Sequence, residues 1–459
     1  MNTKRFLAFF LAVVISCAAL SVFSGCNSGS DTTDPTSAPS DENVTQAPTD
    51  AATEAPTDKP TSKPTQKTER PTQKPEVDVD NPDVTQYDFY KYISPIWEGE
   101  ISYAEAAFVR EDEFGGIRPI QLLYPIDDII SVRSADHTIE YTPGEDYYID
   151  DDGNLRIIEG GKIPCLAYED YCFELTYEEH KQNNLATKLP AANKPGYGYI
   201  RAEVNNGSGG MSKWTIAVTY THAAGDCVVT KPETKSLVFQ KLIAKLQNGE
   251  DVKVVSMGDS ITDGWSATGR SGVNIPPYCP PYNSLVTTYM QKTYGSKVTH
   301  QNIAVSGSSS GAAFSKIDEL CNANPDLLIL AYGMNDGGGV YPDTFVYNIN
   351  RVIKALKERC PDAAVVVVGT TLPNPEFAWS PGGASALQHH AKYAPALIEA
   401  EKEWTTAAYA DVTKTNVEMF ERKVYQDVAG SNSNHPNDYM HRIYAQVVLQ
   451  TIFGDYMAE

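Results

Sequence analysis

Four stretches of the chain differ in how hydrophobic and polar positions alternate. Residues 6–23 are an unbroken run of apolar and small side chains. From Asn27 to about Thr85 there is no aromatic residue, and units such as Ala47-Pro48-Thr49-Asp50 and Ala55-Pro56-Thr57-Asp58 recur. Such a stretch cannot bury enough apolar surface to offset chain entropy, so it predicts an extended, solvated linker over 27–85. Over 86–232 short β-type runs at 119–124, 146–149, 154–158 and 213–218 are punctuated by turn signals. Asp151-Asp152-Gly153-Asn154 separates two of these runs as a hairpin turn would. This pattern predicts a β-sandwich of jelly-roll type. Over 233–459 the pattern changes again. Apolar runs at 252–256, 298–305, 327–332, 364–369 and 407–412 have the length and composition of buried strands. Between them Phe345, Ile349, Val352, Ile353 and Leu356 share one face at a period of about 3.6. Met440, Ile443, Val447, Val448 and Ile452 repeat that spacing near the end. Strand and helix in alternation predict a parallel sheet with helices on both sides, an α/β domain whose sites gather at the carboxyl ends of its strands.

Charge and composition narrow the partners. The 459 residues carry a formal net charge of -22 and the pI is near 4.8. That balance argues against nucleic acid and anionic membrane surfaces, which select basic faces. Lys4 and Arg5, the apolar run and then Ser24-Gly25-Cys26 follow the plan of a signal peptide. The segment 1–26 resembles the bacterial lipoprotein version, which implies lipidation of Cys26 and an extracellular, membrane-anchored chain. The alternative is an uncleaved anchor, since a run of this length can just span a bilayer. Either way the membrane is met only through the N-terminus, and a monomer is expected. Beyond Cys17 and Cys26 the cysteines are Cys165, Cys172, Cys227, Cys279, Cys321 and Cys360. Their spacing fits no zinc or redox motif, and both disulfides and buried free thiols remain open.

Candidate chemistry falls at the ends of the α/β strands. Met257-Gly258-Asp259-Ser260 places a serine where the first strand turns toward a helix, beside backbone N–H groups able to meet an anion. By itself such a serine reads as a helix cap. After the second strand comes Gly307, whose N–H can approach a ligand with no side chain between. After the third comes Asn335, a carboxamide donor, and before the last helix comes His435. Singly, Asn335 reads as a turn residue and His435 as a loop residue ahead of Pro436. In this order, on one rim, they resemble the SGNH hydrolases of the GDSL esterase superfamily over about Lys253 to Phe453. The resemblance implies a three-layer α/β/α, flavodoxin-like domain with Ser260 as nucleophile and His435 as general base. It also implies an oxyanion hole of Ser260 N–H, Gly307 N–H and Asn335, with no metal or organic cofactor. Asp259 is expected as a hydrogen-bonding member of the serine turn.

One position departs from the family pattern. An aspartate usually stands three residues before the histidine, and here it is Asn432. Asn432 can orient His435, a backbone carbonyl can do so in a Ser-His dyad, or Asp438 or Asp427 can reach the imidazole. The plain role of Asp438 is an N-cap, and His441 is expected on the outer helix face.

The long loop 271–282 and the loop 373–379, with Trp265, Tyr278 and Trp379, predict a cleft walled by aromatic faces; plain loop packing is the alternative. Upstream, Asp146-Tyr147, Gly153-Asn154-Leu155 and Val218-Thr219-Tyr220-Thr221-His222 resemble the domain that precedes the catalytic part in bacterial SGNH carbohydrate esterases. Acetylated polysaccharides or oligosaccharides are therefore the expected substrates. The rivals are a lipase-like or lysophospholipid esterase, and a surface carbohydrate-binding protein with a relic hydrolase domain.

Overall fold

The computed structural model describes residues 76–180, 188–202, 210–376 and 389–457. The leader, Cys26, linker residues 27–75 and Trp379 lie outside the described residues.

The upstream part contains β1 (Ile101–Phe108), β2 (Asp128–Ser134), β3 (Tyr147–Ile149), β4 (Leu155–Ile157), β5 (Cys172–Glu174), β6 (Lys188–Pro190), β7 (Tyr197–Ile200) and β8 (Thr215–Thr221). They form antiparallel sheets in the orders β1-β8-β2, β3-β4 and β5-β7-β6. The β3–β4 turn is where the sequence places it. Gly153 has φ 77°, and the Asp150 carboxylate accepts the Asp152 and Asn154 N–H groups. The expected strand at 119–124 contributes only a bridge from Ile120 to Leu155. Its backbone is diverted to side chains, since Leu123 N–H donates to Glu105 and Tyr124 N–H to the Tyr220 hydroxyl. Strand β1, which the pattern did not reveal, is buried at every position but its first. A strand covered on both faces shows no alternation of polar and apolar residues.

The α/β part is built on β9 (Val252–Gly258), β10 (Val298–Asn302), β11 (Leu327–Ala331), β12 (Ala364–Val368) and β13 (Ala407–Ala410). The strands are parallel in the order β10-β9-β11-β12-β13. Its main helices are α1 (Gln240–Gln247), α2 (Ser260–Asp263), α3 (Tyr282–Tyr294), α4 (Pro342–Arg359), α5 (His390–Glu401), α6 (Val412–Met419) and α7 (Asp438–Phe453). Period-two alternation sorts the strand side chains into two layers. Val254, Ile329 and Val366 face the cluster that holds α3 and α7. Val255, Leu328 and Val365 face the one that holds α4 and α5. The result is a three-layer α/β/α domain. Its edge strand β10 stops at Asn302, short of the expected 305, because the Asn302 side chain accepts the Ala304 N–H and turns the chain.

Helix α4 buries the five residues its spacing predicts. Helix α7 departs from its pattern, because every residue from Tyr439 to Ile452 is buried, His441, Arg442 and Gln446 included. His441 is enclosed by Trp265 and Tyr282 of the α/β part, whereas Arg442 and Gln446 are covered by the β part, packed on a face expected to meet water. The Arg442 guanidinium donates to the carbonyls of Tyr92, Tyr103 and Ala104, and Gln446 Nε2 donates to Tyr92 O. One apolar cluster accordingly runs from Val84 through β1 and β8 to Ile452 and Tyr456. Within it Lys423 Nζ meets Glu105 Oε1 at 2.6 Å, both side chains with no exposed surface. The six cysteines outside the leader are free thiols.

Breaking one side of a buried ion pair strands the other charge, at a cost of about 3–5 kcal/mol. Lys423→Met should lose stability on that scale in urea unfolding. Lys423→Met combined with Glu105→Gln should recover part of the loss, since Asp427, 3.7 Å from Lys423 Nζ, is still left without its cation.

Candidate active site

Strand β9 delivers the serine. Gly258 is required there because a Cβ would lie 2.2 Å from Ala331 O on the neighbouring strand. Asp259 then caps α2, its carboxylate accepting Ile261 N–H at 3.0 Å, which leaves Ser260 as the first helical residue. Burial, with Asp336 nearby, raises the Asp259 pKa to about 7.

The histidine arrives in a buried turn ahead of α7. Ser431 Oγ accepts His435 N–H at 3.2 Å, and Gly430 N–H donates to His435 O at 2.8 Å. These bonds place His435 Nε2 3.0 Å from Ser260 Oγ. Ser260 is 4% exposed and His435 6%.

The loops after β9, β10 and β11 are tied together at the same rim. Val305 N–H donates to Gly258 O at 3.0 Å, and Asn302 Nδ2 to Thr262 O at 2.8 Å. Gly307 sits in a turn closed by Ser308 N–H to Val305 O, with φ 78° and open space where a Cβ would be. A side chain at that φ would be strained, so the turn favours glycine. Asn335 Nδ2 donates to Ser308 O at 3.0 Å, which leaves its second N–H for another acceptor. Asp336 holds the next residues by accepting from Ser310 N–H and Oγ. The order β10-β9-β11 reverses direction at β9, and in open α/β sheets such a switch is where ligands bind.

The proposed orienting residues sit elsewhere than expected. Asn432 does not turn its carboxamide to His435. Its Oδ1 accepts from Asn374 and Gln426, both at 3.0 Å, and its Nδ2 donates to Ile200 O at 2.9 Å. Two donors fill both lone pairs of that oxygen. Asp438 accepts from Thr268 N–H and Oγ1, and so anchors the long loop after α2. Asn437, not Asp438, caps α7, accepting Met440 N–H at 3.0 Å. Burial raises the Asp438 pKa to about 7. Asp427 accepts from Phe108 N–H and Val424 N–H, so it joins β1 to the turn ahead of the histidine. His441 is fully buried, against expectation, with Nε2 3.1 Å from Trp265 O; burial lowers its pKa to about 4.

Trp265 lies beside the histidine, with ring centroids 5.3 Å apart. Arg270 stands 5.0 Å from the same indole, and Asp263 Oδ2 accepts from Trp265 Nε1, Arg270 and Ser306 Oγ. Asp263, Arg270 and Ser306 were not singled out in the sequence. Tyr278 is 49% exposed. Among the described residues, no group of three or more His, Cys, Asp or Glu is placed to hold a metal ion.

A serine and a histidine within hydrogen-bond distance, at the switch point of a three-layer α/β sheet, define a hydrolase-type site. Residues 256–443 match the GDSL-like lipase/acylhydrolase family, and the chain carries a domain of that family. Among solved structures, a catalytic mutant of an acetylxylan esterase from Geobacillus stearothermophilus is 15% identical, with a TM-score of 0.37. The match covers 50% of this chain and 100% of that one. A two-domain esterase active on acetylated mannans, co-crystallized with mannopentaose, is 17% identical, with a TM-score of 0.39. There the shares are 50% of this chain and 56% of that one. A member of the lipolytic G-D-S-L family from Veillonella parvula is 16% identical, with a TM-score of 0.34, over 43% of this chain and 96% of that one. No curated protein matches the chain.

The raised carboxyl of Asp438 has a consequence for stability. Its folded pKa, about 7, lies above the ordinary carboxylate value near 3.9, so folding takes up a proton between those limits. Stability from this group is present below about pH 4 and is lost as pH rises through about 7, by at most about 1.4 kcal/mol per pH unit. Asp438→Asn removes the titration. The native protein should therefore lose stability relative to the variant as pH rises from about 4 to about 7 in urea unfolding. A difference that is flat with pH would contradict a buried, proton-binding Asp438.

Proposed function

We propose that the protein is a serine esterase of the cell exterior, anchored by lipid on Cys26, that removes short acyl groups, acetyl first, from carbohydrate. The observation that carries the reading is the 3.0 Å contact between His435 Nε2 and Ser260 Oγ at the switch point of the sheet. A serine hydroxyl becomes an effective nucleophile when a base takes its proton, and a neutral imidazole is suited to that task. In the proposed reaction Ser260 Oγ attacks the ester carbonyl while its proton passes to His435 Nε2. The carbonyl oxygen becomes an oxyanion facing Ser260 N–H, Gly307 N–H and the second N–H of Asn335. Collapse expels the alcohol, which takes the proton back from His435, and leaves an acyl-serine. Water then attacks the acyl carbon, His435 accepts its proton, and the carboxylic acid departs as Ser260 is restored.

A short acyl group suits reactive side chains with so little exposure. The indole of Trp265 beside His435 offers an aromatic face to the apolar side of a sugar ring. The enzyme acts as a monomer in this reading.

Ser260→Ala and His435→Ala should each lower hydrolysis of p-nitrophenyl acetate by at least about 10³-fold, since nucleophile and base act as one unit. Asn335→Ala should cost about 10²–10³-fold in kcat, the usual loss for one oxyanion donor. Native protein should take a fluorophosphonate label that Ser260→Ala does not. Folded native protein that stays unlabelled would leave a relic domain as the better description. Acetate release should be measured on acetylated xylan, mannan and pectin, and faster turnover of p-nitrophenyl decanoate than acetate would overturn the short-acyl assignment.

A further inference from the structure

We infer that the upstream β part positions the catalytic histidine, acting through Asn432 from the backbone carbonyl of Ile200. The inference rests on the Ser260–His435 reading above. Asn432 has no exposed surface and holds φ 60°, a left-handed conformation that most side chains avoid and that asparagine adopts more readily. Such a conformation persists where the surroundings over-determine it, and here they do. Asn374 Nδ2 donates to the Asn432 backbone carbonyl at 2.9 Å as well as to its side chain. Asn374 N–H and the Tyr425 hydroxyl both donate to Ser433 O. Gln426 Nε2, which donates to Asn432 Oδ1, also reaches the Tyr171 hydroxyl and Glu376 Oε2.

The orientation of the Asn432 carboxamide follows from its partners. Its oxygen faces two amide donors, and its nitrogen faces a carbonyl at the end of β7. A flipped amide would set oxygen against oxygen on one side and donors against donors on the other. The β part therefore demands a donor at this position. An ionised aspartate, the residue usual in the family, would keep the bonds from Asn374 and Gln426 but turn an unprotonated oxygen toward Ile200 O. The structure thus assigns Asn432 as a positioning residue. It fixes the 432–433 backbone, and with it the turn that carries His435, without touching the imidazole.

Asn432→Asp separates this role from that of a triad acid, because the two predict opposite signs. In the full-length protein, kcat and KM for p-nitrophenyl acetate are measured from about pH 5.5 to 8, beside thermal unfolding and a Ser260→Ala blank. The positioning role predicts that kcat falls at pH 8 while KM changes little. The loss is on the order of 10–100-fold, the scale of a sub-ångström to 1 Å displacement of a reacting group. It also predicts that the variant-to-native ratio rises as pH falls, because the introduced carboxyl, once protonated, regains an O–H donor for Ile200 O. A variant as active as native at pH 8, with a ratio that falls in acid, would mean the carboxylate serves as a triad acid and would overturn the inference. So would a loss that is flat with pH and tracks the folded fraction. If Asn432→Asp does not fold, Gln426→Ala should still lower kcat with KM nearly unchanged, and native kcat in that variant would overturn the proposal. Failure of the Ser-His reading itself would show separately, as activity retained by Ser260→Ala.

Discussion

The site depends on one short contact between residues 175 positions apart, Ser260 and His435. Ser260 is easily placed, because a strand and a capped helix fix it locally. His435 is not. It rides on an irregular turn that is buried, where backbone and side-chain polar groups must find partners or cost free energy. The turn meets this demand from three directions: Ser431 within itself, Asn374 from the loop after β12, and Ile200 and Phe108 from the β part. The geometry of the imidazole is thus a property of the whole folded unit.

The same dependence explains the buried charges around α7. Arg442 spends its guanidinium on three backbone carbonyls of the 92–104 segment, and Lys423 is enclosed with Glu105. Buried ion pairs of this kind add little net stability over apolar residues of similar volume, but separating the partners strands a buried charge. Here they lock β1 against the segment that leads to the histidine. The set of buried carboxylates Glu105, Asp427 and Asp438 serves the scaffold. Two of its members, offered by the sequence as alternative acids for His435, are fully engaged with Phe108, Val424 and Thr268.

The departure at Asn432 has a physical reading in this setting. Where an aspartate would bring charge to the imidazole, the carboxamide supplies a donor and an acceptor at once, and its neighbours need both. An arrangement of this kind sets a neutral amide, with its donor and acceptor both used, in the turn ahead of His435. The family match over residues 256–443 spans the serine and the histidine and is compatible with either solution.

Much of the α/β layer plan was legible from local spacing. The buried stripe of α4, the five parallel strands and the rim location of Ser260, Gly307, Asn335 and His435 follow from periodicity and motif order. They are readable because a parallel sheet sends the carboxyl ends of all its strands to one edge. What the sequence did not reveal lies where distant segments meet. The all-round burial of α7, the enclosure of His441, the both-sided cover of β1 and the partners of Asn432 are of this kind. Ile200 and Asn432 are 232 residues apart, and Tyr103 and Arg442 339. Periodicity reports which face of an element is apolar within a few turns; only the packed chain decides which distant carbonyl will meet an amide.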